Sequence, residues 1–120
     1  MDEDDVQRFE AGMEFLAAAQ RGAASKLARL SESGADANFV HPITGNAALH
    51  DIARSGSRRL FKAFLRADDI DFLKTDRDGR LASSICSAFN NDAVMARFLR
   101  LKERRQAEAS GLDYAELAKT

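Results

Sequence analysis

Leu49-His50-Asp51-Ile52-Ala53-Arg54-Ser55-Gly56 has an upstream counterpart in Phe15-Leu16-Ala17-Ala18-Ala19-Gln20-Arg21-Gly22 and a downstream one in Ser83-Ser84-Ile85-Cys86-Ser87-Ala88-Phe89-Asn90. The closing residues stand at 22, 56 and 90, two equal steps of 34. Self-similarity at a fixed period of this size marks a chain built from one repeated supersecondary unit. After each closing Gly or Asn, apolar residues recur five and eight places on: Leu27 and Leu30, Phe61 and Phe64, Met95 and Phe98. The second and third copies add Leu65 and Leu99. Spacings of three and four put these residues on one helical stripe. Each copy therefore reads as two short helices, broken at Gly22, at Gly56 and at Asn90-Asn91. Gly and Asn tolerate the left-handed backbone that reverses a chain after a helix.

Turn segments separate the helix pairs: Ser33-Gly34-Ala35-Asp36-Ala37-Asn38, then Pro42-Ile43-Thr44-Gly45, then Asp76-Arg77-Asp78-Gly79. Proline presets φ early in a turn and glycine supplies a permissive site near its end. Nothing alternates as a long strand would, so short extended fingers at the turns are the most that is expected outside helices. Asp4 and Asp5 precede an apolar stripe of Val6, Phe9, Met13 and Leu16, and are expected to cap that helix and oppose its dipole. Ser110-Gly111-Leu112-Asp113-Tyr114 leads into a short closing helix, with Leu112, Tyr114 or Leu117 expected to cover the last pair.

These residues resemble the ankyrin repeat. Gly34-Ala35-Asp36-Ala37-Asn38 is similar to that family's Gly-Ala-Asp-Val-Asn ending, and Gly45-Asn46-Ala47-Ala48-Leu49-His50 to its Gly-x-Thr-Pro-Leu-His opening. Asp78-Gly79-Arg80 fits a third opening and Ile70-Asp71-Phe72 a variant ending. Ala47 and Ala48 replace the family's Thr and Pro, and Leu81-Ala82-Ser83-Ser84 keeps little of the pattern, so the third copy looks like a divergent cap. The resemblance implies an all-α, ankyrin-like solenoid of about three helix-turn-helix repeats, near 9–44, 45–78 and 79–109, with helical caps and a closing helix over 110–119. One residue beyond the family's usual period is expected in the fingers, at Phe39 to His41 and Ala67 to Asp71. Phe39 and Phe72 are expected there to pack finger against finger.

The chain has 120 residues, enough for one domain with a core. Apolar residues make up 45% and charged ones 31%, with a net charge of -1, so wholesale coating of nucleic acid is not expected. No apolar run is long enough for a membrane span. The acidic start Met1-Asp2-Glu3-Asp4-Asp5 is unlike a secretory signal, and one cysteine permits no internal disulfide, so a cytoplasmic setting is expected.

Chemistry is sparse. His41, His50 and Cys86 have no zinc-ligand spacing, and Cys86 falls inside a helix where it fills the core. His50 occupies the family's structural histidine position, where the ring bonds turn backbone. Asp68-Asp69-Ile70-Asp71 and Asp76-Arg77-Asp78-Gly79 lack the ligand alternation and distal glutamate of a calcium loop. Arg97, Arg100, Lys102, Arg104 and Arg105, relieved by Glu103, form a solvated basic helix face. No enzymatic activity, no cofactor and no metal are expected.

By resemblance, the partner-binding positions flank each turn glycine and end each first helix. These are Gln20 and Arg21; Ile43, Thr44, Asn46, Arg54 and Ser55; and Arg77, Asp78, Arg80, Ala88 and Phe89. Four arginines meet one acid in that set, which implies a mildly basic concave face for an acidic or mixed protein surface. The expected role is a protein-interaction module, whether adaptor, inhibitor or immunity-like protein. A structural subunit of a larger complex is the alternative, with nucleic-acid binding through the late basic helix a weaker one. The chain is expected to be a monomer or a weak homo-oligomer.

Overall fold

Seven helices follow one another across residues 2–89 and 92–119, the part of the chain that a computed structural model describes, and no strand occurs among the described residues. They are α1 (Glu3–Gln20), α2 (Ala24–Glu32), α3 (Ala48–Ser55), α4 (Arg58–Phe64), α5 (Ala82–Phe89), α6 (Ala93–Ala109) and α7 (Tyr114–Leu117). Local chemistry sets most of the boundaries. Asp2, rather than the expected Asp4 or Asp5, caps α1 by accepting from the Asp5 N–H at 2.9 Å. Asp4 and Asp5 lie inside the first turn, where they still face the dipole. Ser57, Asp92 and Asp113 cap α4, α6 and α7 in the same way. Gly22 and Gly56 carry positive φ, 73° and 69°, at the two described breaks. The third expected break, at Asn90-Asn91, lies outside the described residues. Two helices are not short: α1 has 18 residues and α6 has 17.

α1, α3 and α5 lie side by side, and α2 lies beside α4, each first helix also packing on the second helix that follows it. One apolar core runs through both rows, with Phe15, Leu16, Leu27, Ile52, Phe64, Ile85, Cys86 and Leu99 almost wholly inaccessible. Phe15 of α1 and Phe64 of α4 meet with ring centroids 6.0 Å apart. Burying one such side chain is worth roughly 2 kcal/mol, so the apolar stripe outweighs any single polar contact.

Polar ties repeat at the same spacing as the sequence. Arg66 reaches Glu32 at 2.7 Å, 34 residues back. Arg58 donates two hydrogen bonds of 3.0 Å to Asp92, 34 residues on, and this guanidinium is the main reason the Asp92 carboxyl is held down to about 2. Two side-chain amides grip the segment after α4 from either side. Asn38 accepts from Asp71 N–H at 2.7 Å and donates to the Asp69 carbonyl at 2.8 Å. Gln106 accepts from Phe72 N–H and donates to the Ile70 carbonyl, both at 2.7 Å. Asp69, the first residue of the gripped stretch, holds a φ of 55°, a left-handed conformation that Asp tolerates better than most residues.

His50 ties one turn to the next. Its Nδ1 accepts from Ala47 N–H at 3.0 Å, which leaves Nε2 to donate to the Lys74 carbonyl at 2.9 Å. This is the returning half of a capping box, the other half being absent because Ala47 has no side-chain acceptor. Burial lowers the pKa of the ring, which favours the neutral tautomer these bonds need.

Both finger phenylalanines depart from expectation. Phe39 packs edge-on to Phe9 at 5.9 Å and lies over Gly12, where a Cβ would run into its ring. Phe72 is buried in the core. Glycine at position 12 and the greater length of α1 give Phe39 a helix to pack on in place of another finger.

Glu103 is the other departure. It is fully buried rather than part of the solvated face of α6. Its carboxylate accepts from Ser83 N–H at 3.0 Å, Ser83 Oγ–H at 2.7 Å and the Tyr114 hydroxyl at 2.6 Å. One acid thus joins the first turn of α5, α6 and α7. Burial raises its pKa, against the lowering effect of those donors, and burial together with Glu103 pushes the Tyr114 phenol up to about 12. Of the three residues expected to cover the last pair, Tyr114 makes this bond while Leu112 is 48% exposed. Glu103→Ala strands three donors and should lower the unfolding free energy by about 3 kcal/mol, whereas Tyr114→Phe should lower it by about 1 kcal/mol. Urea unfolding followed by circular dichroism checks the order, and equal effects would show that Glu103 does not organise this end.

Candidate functional site

The turn between α2 and α3 is a narrow finger. Val40 and Ala47 form an antiparallel bridge, and His41 N–H donates to the Asn46 carbonyl at 2.9 Å. The His41 ring shapes the tip by accepting from Ile43 N–H at 3.1 Å and Thr44 N–H at 3.3 Å. At the matching place before α5, Asp76 accepts from the N–H groups of Asp78 at 3.0 Å and Arg80 at 2.9 Å. An imidazole and a carboxylate therefore do the same work, each satisfying turn donors that would otherwise face water. The two fingers touch where the Arg77 guanidinium donates to the Ile43 carbonyl. Ile43, at 72% exposed, stands at the outer end of this contact.

Beside the fingers, three of the expected residues converge. Arg54, in the last turn of α3, places its guanidinium 4.6 Å from the centroid of the Phe89 ring, which ends α5. Arg80 approaches the same ring at 5.5 Å. Phe89 stays 51% exposed between them. Arg80 is itself fixed, pairing with Asp76 at 3.0 Å and Asp78 at 3.3 Å. Burial raises the Asp76 carboxyl, but the Arg80 N–H and guanidinium overcome this and leave it below its ordinary value.

The remaining expected residues divide. Thr44 and Ser55 spend their hydroxyls locally, Thr44 accepting from Asn46 N–H at 3.3 Å and Ser55 donating to the Ile52 carbonyl at 2.8 Å. Asn46 is half-buried beside the bridge. Gln20 donates to Asp51 at 3.4 Å, and burial raises the carboxyl of Asp51. Arg21 is exposed beyond α1 and its side chain joins none of these contacts. Ala88 is exposed next to Phe89. The face is less basic than the expected set, because Asp51 and the buried Asp76 add two carboxylates to Asp78. His41, Asp51 and Asp76 are what residue-type reasoning missed. For Asp76 a signal existed, since Asp followed two residues later by a turn donor is the pattern of an Asx turn.

Among the described residues no cluster of three His, Cys, Asp or Glu side chains is placed to hold a metal, and no helix is long and apolar enough to cross a membrane. The buried titratable groups are bound up in the fold: both nitrogens of His50 engage backbone, and Glu103 receives three donors. What the face offers is a half-exposed aromatic ring approached by two guanidiniums.

Arg80 and Arg54 should respond differently to charge reversal. Arg80→Glu sets a second carboxylate against buried Asp76 and should cost about 2 kcal/mol. Exposed Arg54→Glu should stay within about 0.5 kcal/mol of wild type. Because the folded-state pKa of Asp76 is depressed, its contribution is present above its ordinary value of 3.8 and is lost as pH falls through the lowered value. The stability gap between wild type and Arg80→Ala should therefore close in strong acid. A gap that stays constant from neutrality into strong acid would remove Asp76 as the cause.

Set beside known proteins, the chain matches no family model, and no curated protein matches it significantly.

Proposed function

We propose that this chain is a non-catalytic, cytoplasmic protein-interaction module, an ankyrin-like solenoid of three helix pairs with helical caps. Its partner is another protein, bound through the face that carries Phe89, Arg54, Arg80 and the finger tips. In that role it serves as an adaptor, inhibitor or immunity-like protein. The single observation that supports the reading is Phe89, half exposed yet approached by two guanidiniums, one of them anchored to a buried carboxylate.

Arg and aromatic side chains supply most of the binding energy at protein interfaces when a partner covers them. A ring already held in place loses little conformational freedom on binding, so more of the contact energy is realised as affinity. The complementary surface has an apolar or aromatic group to cover Phe89 and a carboxylate or carbonyl within reach of Arg54. Ile43, at the finger tip, gives a second apolar contact.

Capture from the native lysate with wild-type and variant baits tests the proposal. Phe89→Ala, which removes an exposed ring, should weaken binding of the captured protein by about thirtyfold, the size of a 2 kcal/mol hot spot. Arg54→Glu should weaken it by about tenfold or more. A protein that binds wild type and both folded variants with the same Kd would move the binding site off this face.

A further inference from the structure

Charge is segregated between the helices. α2, α4 and α6 together carry ten lysines and arginines against three glutamates. α1 carries five acids, Glu3, Asp4, Asp5, Glu10 and Glu14, against Arg8.

On the basic side, α4 and α6 leave between them a groove of about 300 Å³. Phe61 and Met95 line its depth, Leu65, Val94 and Phe98 its flanks, and Arg58 and Lys62 its rim. The Phe61 and Phe98 rings meet edge to face at 5.4 Å across it. Val94 is 65% exposed, Phe98 37% and Leu101 40%. These three are spaced four and three apart, so they form one uncovered apolar stripe along α6. Lys102 lies 5.4 Å over the Phe98 ring, adding positive charge to the same stripe. An apolar side chain inserted there would release water from an apolar lining.

At the start of the chain α1 presents the complement. Val6 is 41% exposed and Phe9 44%, three residues apart on one face and flanked by Glu3, Asp5 and Glu10. The groove is apolar with Lys62 and Lys102 as its positive border, Arg58 being paired with Asp92, and the helix start is apolar with an acidic border.

We propose that the α4/α6 groove of one molecule accepts the first two turns of α1 from a second copy of this chain. Donor and acceptor are different patches, so the contact is heterologous, and each molecule carries one of each. The apolar insertion supplies the attraction, and the opposite charges set orientation and partner choice. The groove belongs to the second helices and the donor to the start of α1, and neither includes Phe89, Arg54 or Arg80.

Two single variants test it by sedimentation velocity. Val94→Glu puts an acid in the mouth of the groove, at a first-turn position where negative charge suits the helix dipole. Val6→Lys puts a cation on the exposed donor. Wild type should show a weight-average mass that rises with concentration, and each variant alone should stay monomeric. An equimolar mixture should regain a two-chain species, because Val94→Glu keeps an intact donor and Val6→Lys an intact groove. Should Val94→Glu lower the melting midpoint, Lys62→Glu on the exposed rim replaces it in both measurements. A wild type that stays monomeric, a variant that associates like wild type, or a mixture that stays monomeric would each overturn the proposal.

Discussion

Helices of seven and eight residues, such as α4, α3 and α5, are too short to persist alone in water, where about 12 residues or more are needed even for good helix formers. What holds them is burial against a neighbouring pair. In α3 the side chains of Ala48, Leu49, Ile52 and Ala53 are all inaccessible, and α3 has α1 on one side and α5 on the other. The alanines matter as much as the larger residues, since a methyl group lets two helix axes approach closely and packs without side-chain entropy loss. A pair lifted out of the row would lose this burial and melt. The polar ties act within that constraint: Asn38, His50 and Gln106 satisfy backbone groups between pairs, and so select the register in which the apolar stripes meet.

Much of this order was legible in the residues. The step of 34 located the helix pairs, the stripe marked Leu27, Phe61, Phe64, Met95 and Leu99 as buried although its member Phe98 stays exposed, and Gly22 and Gly56 marked the reversals. His50 was legible only through the resemblance to the ankyrin pattern, which implied a ring bonded to turn backbone, and its bonds to Ala47 and Lys74 have that form. The hidden part concerns polar side chains whose partners are remote in sequence. Glu103 bonds Ser83, 20 residues away and off the period, and Gln106 bonds Phe72 one full period of 34 away, where no feature of the residues singled out the amide beforehand. In a helix crowded with arginines an acid reads as charge balance until its direction is known. Aromatic residues misled for a related reason: at Phe39 the deciding neighbour was a glycine 27 residues earlier, whose missing side chain makes the space.

The Phe89 face follows a similar division. Residue type and position pointed to Arg54, Arg80 and Phe89 separately, while their convergence depended on how α3 and α5 lie against each other. Arg80 links the face to the fold, since one guanidinium both satisfies Asp76 in the finger and stands beside the exposed ring. The finger and the ring are therefore mechanically connected. Movement of Asp76 would shift the cation that frames Phe89.

The bond between Tyr114 and Glu103 has an optical corollary. The chain has no tryptophan and one tyrosine, so its intrinsic emission comes from a single phenol. In the folded chain that phenol donates to a carboxylate at 2.6 Å, and such an acceptor quenches tyrosine by taking its proton in the excited state. Detachment of α7 would free the phenol and brighten it, even with the rest of the core intact. Unlabelled protein thus carries a built-in reporter for fraying at one end.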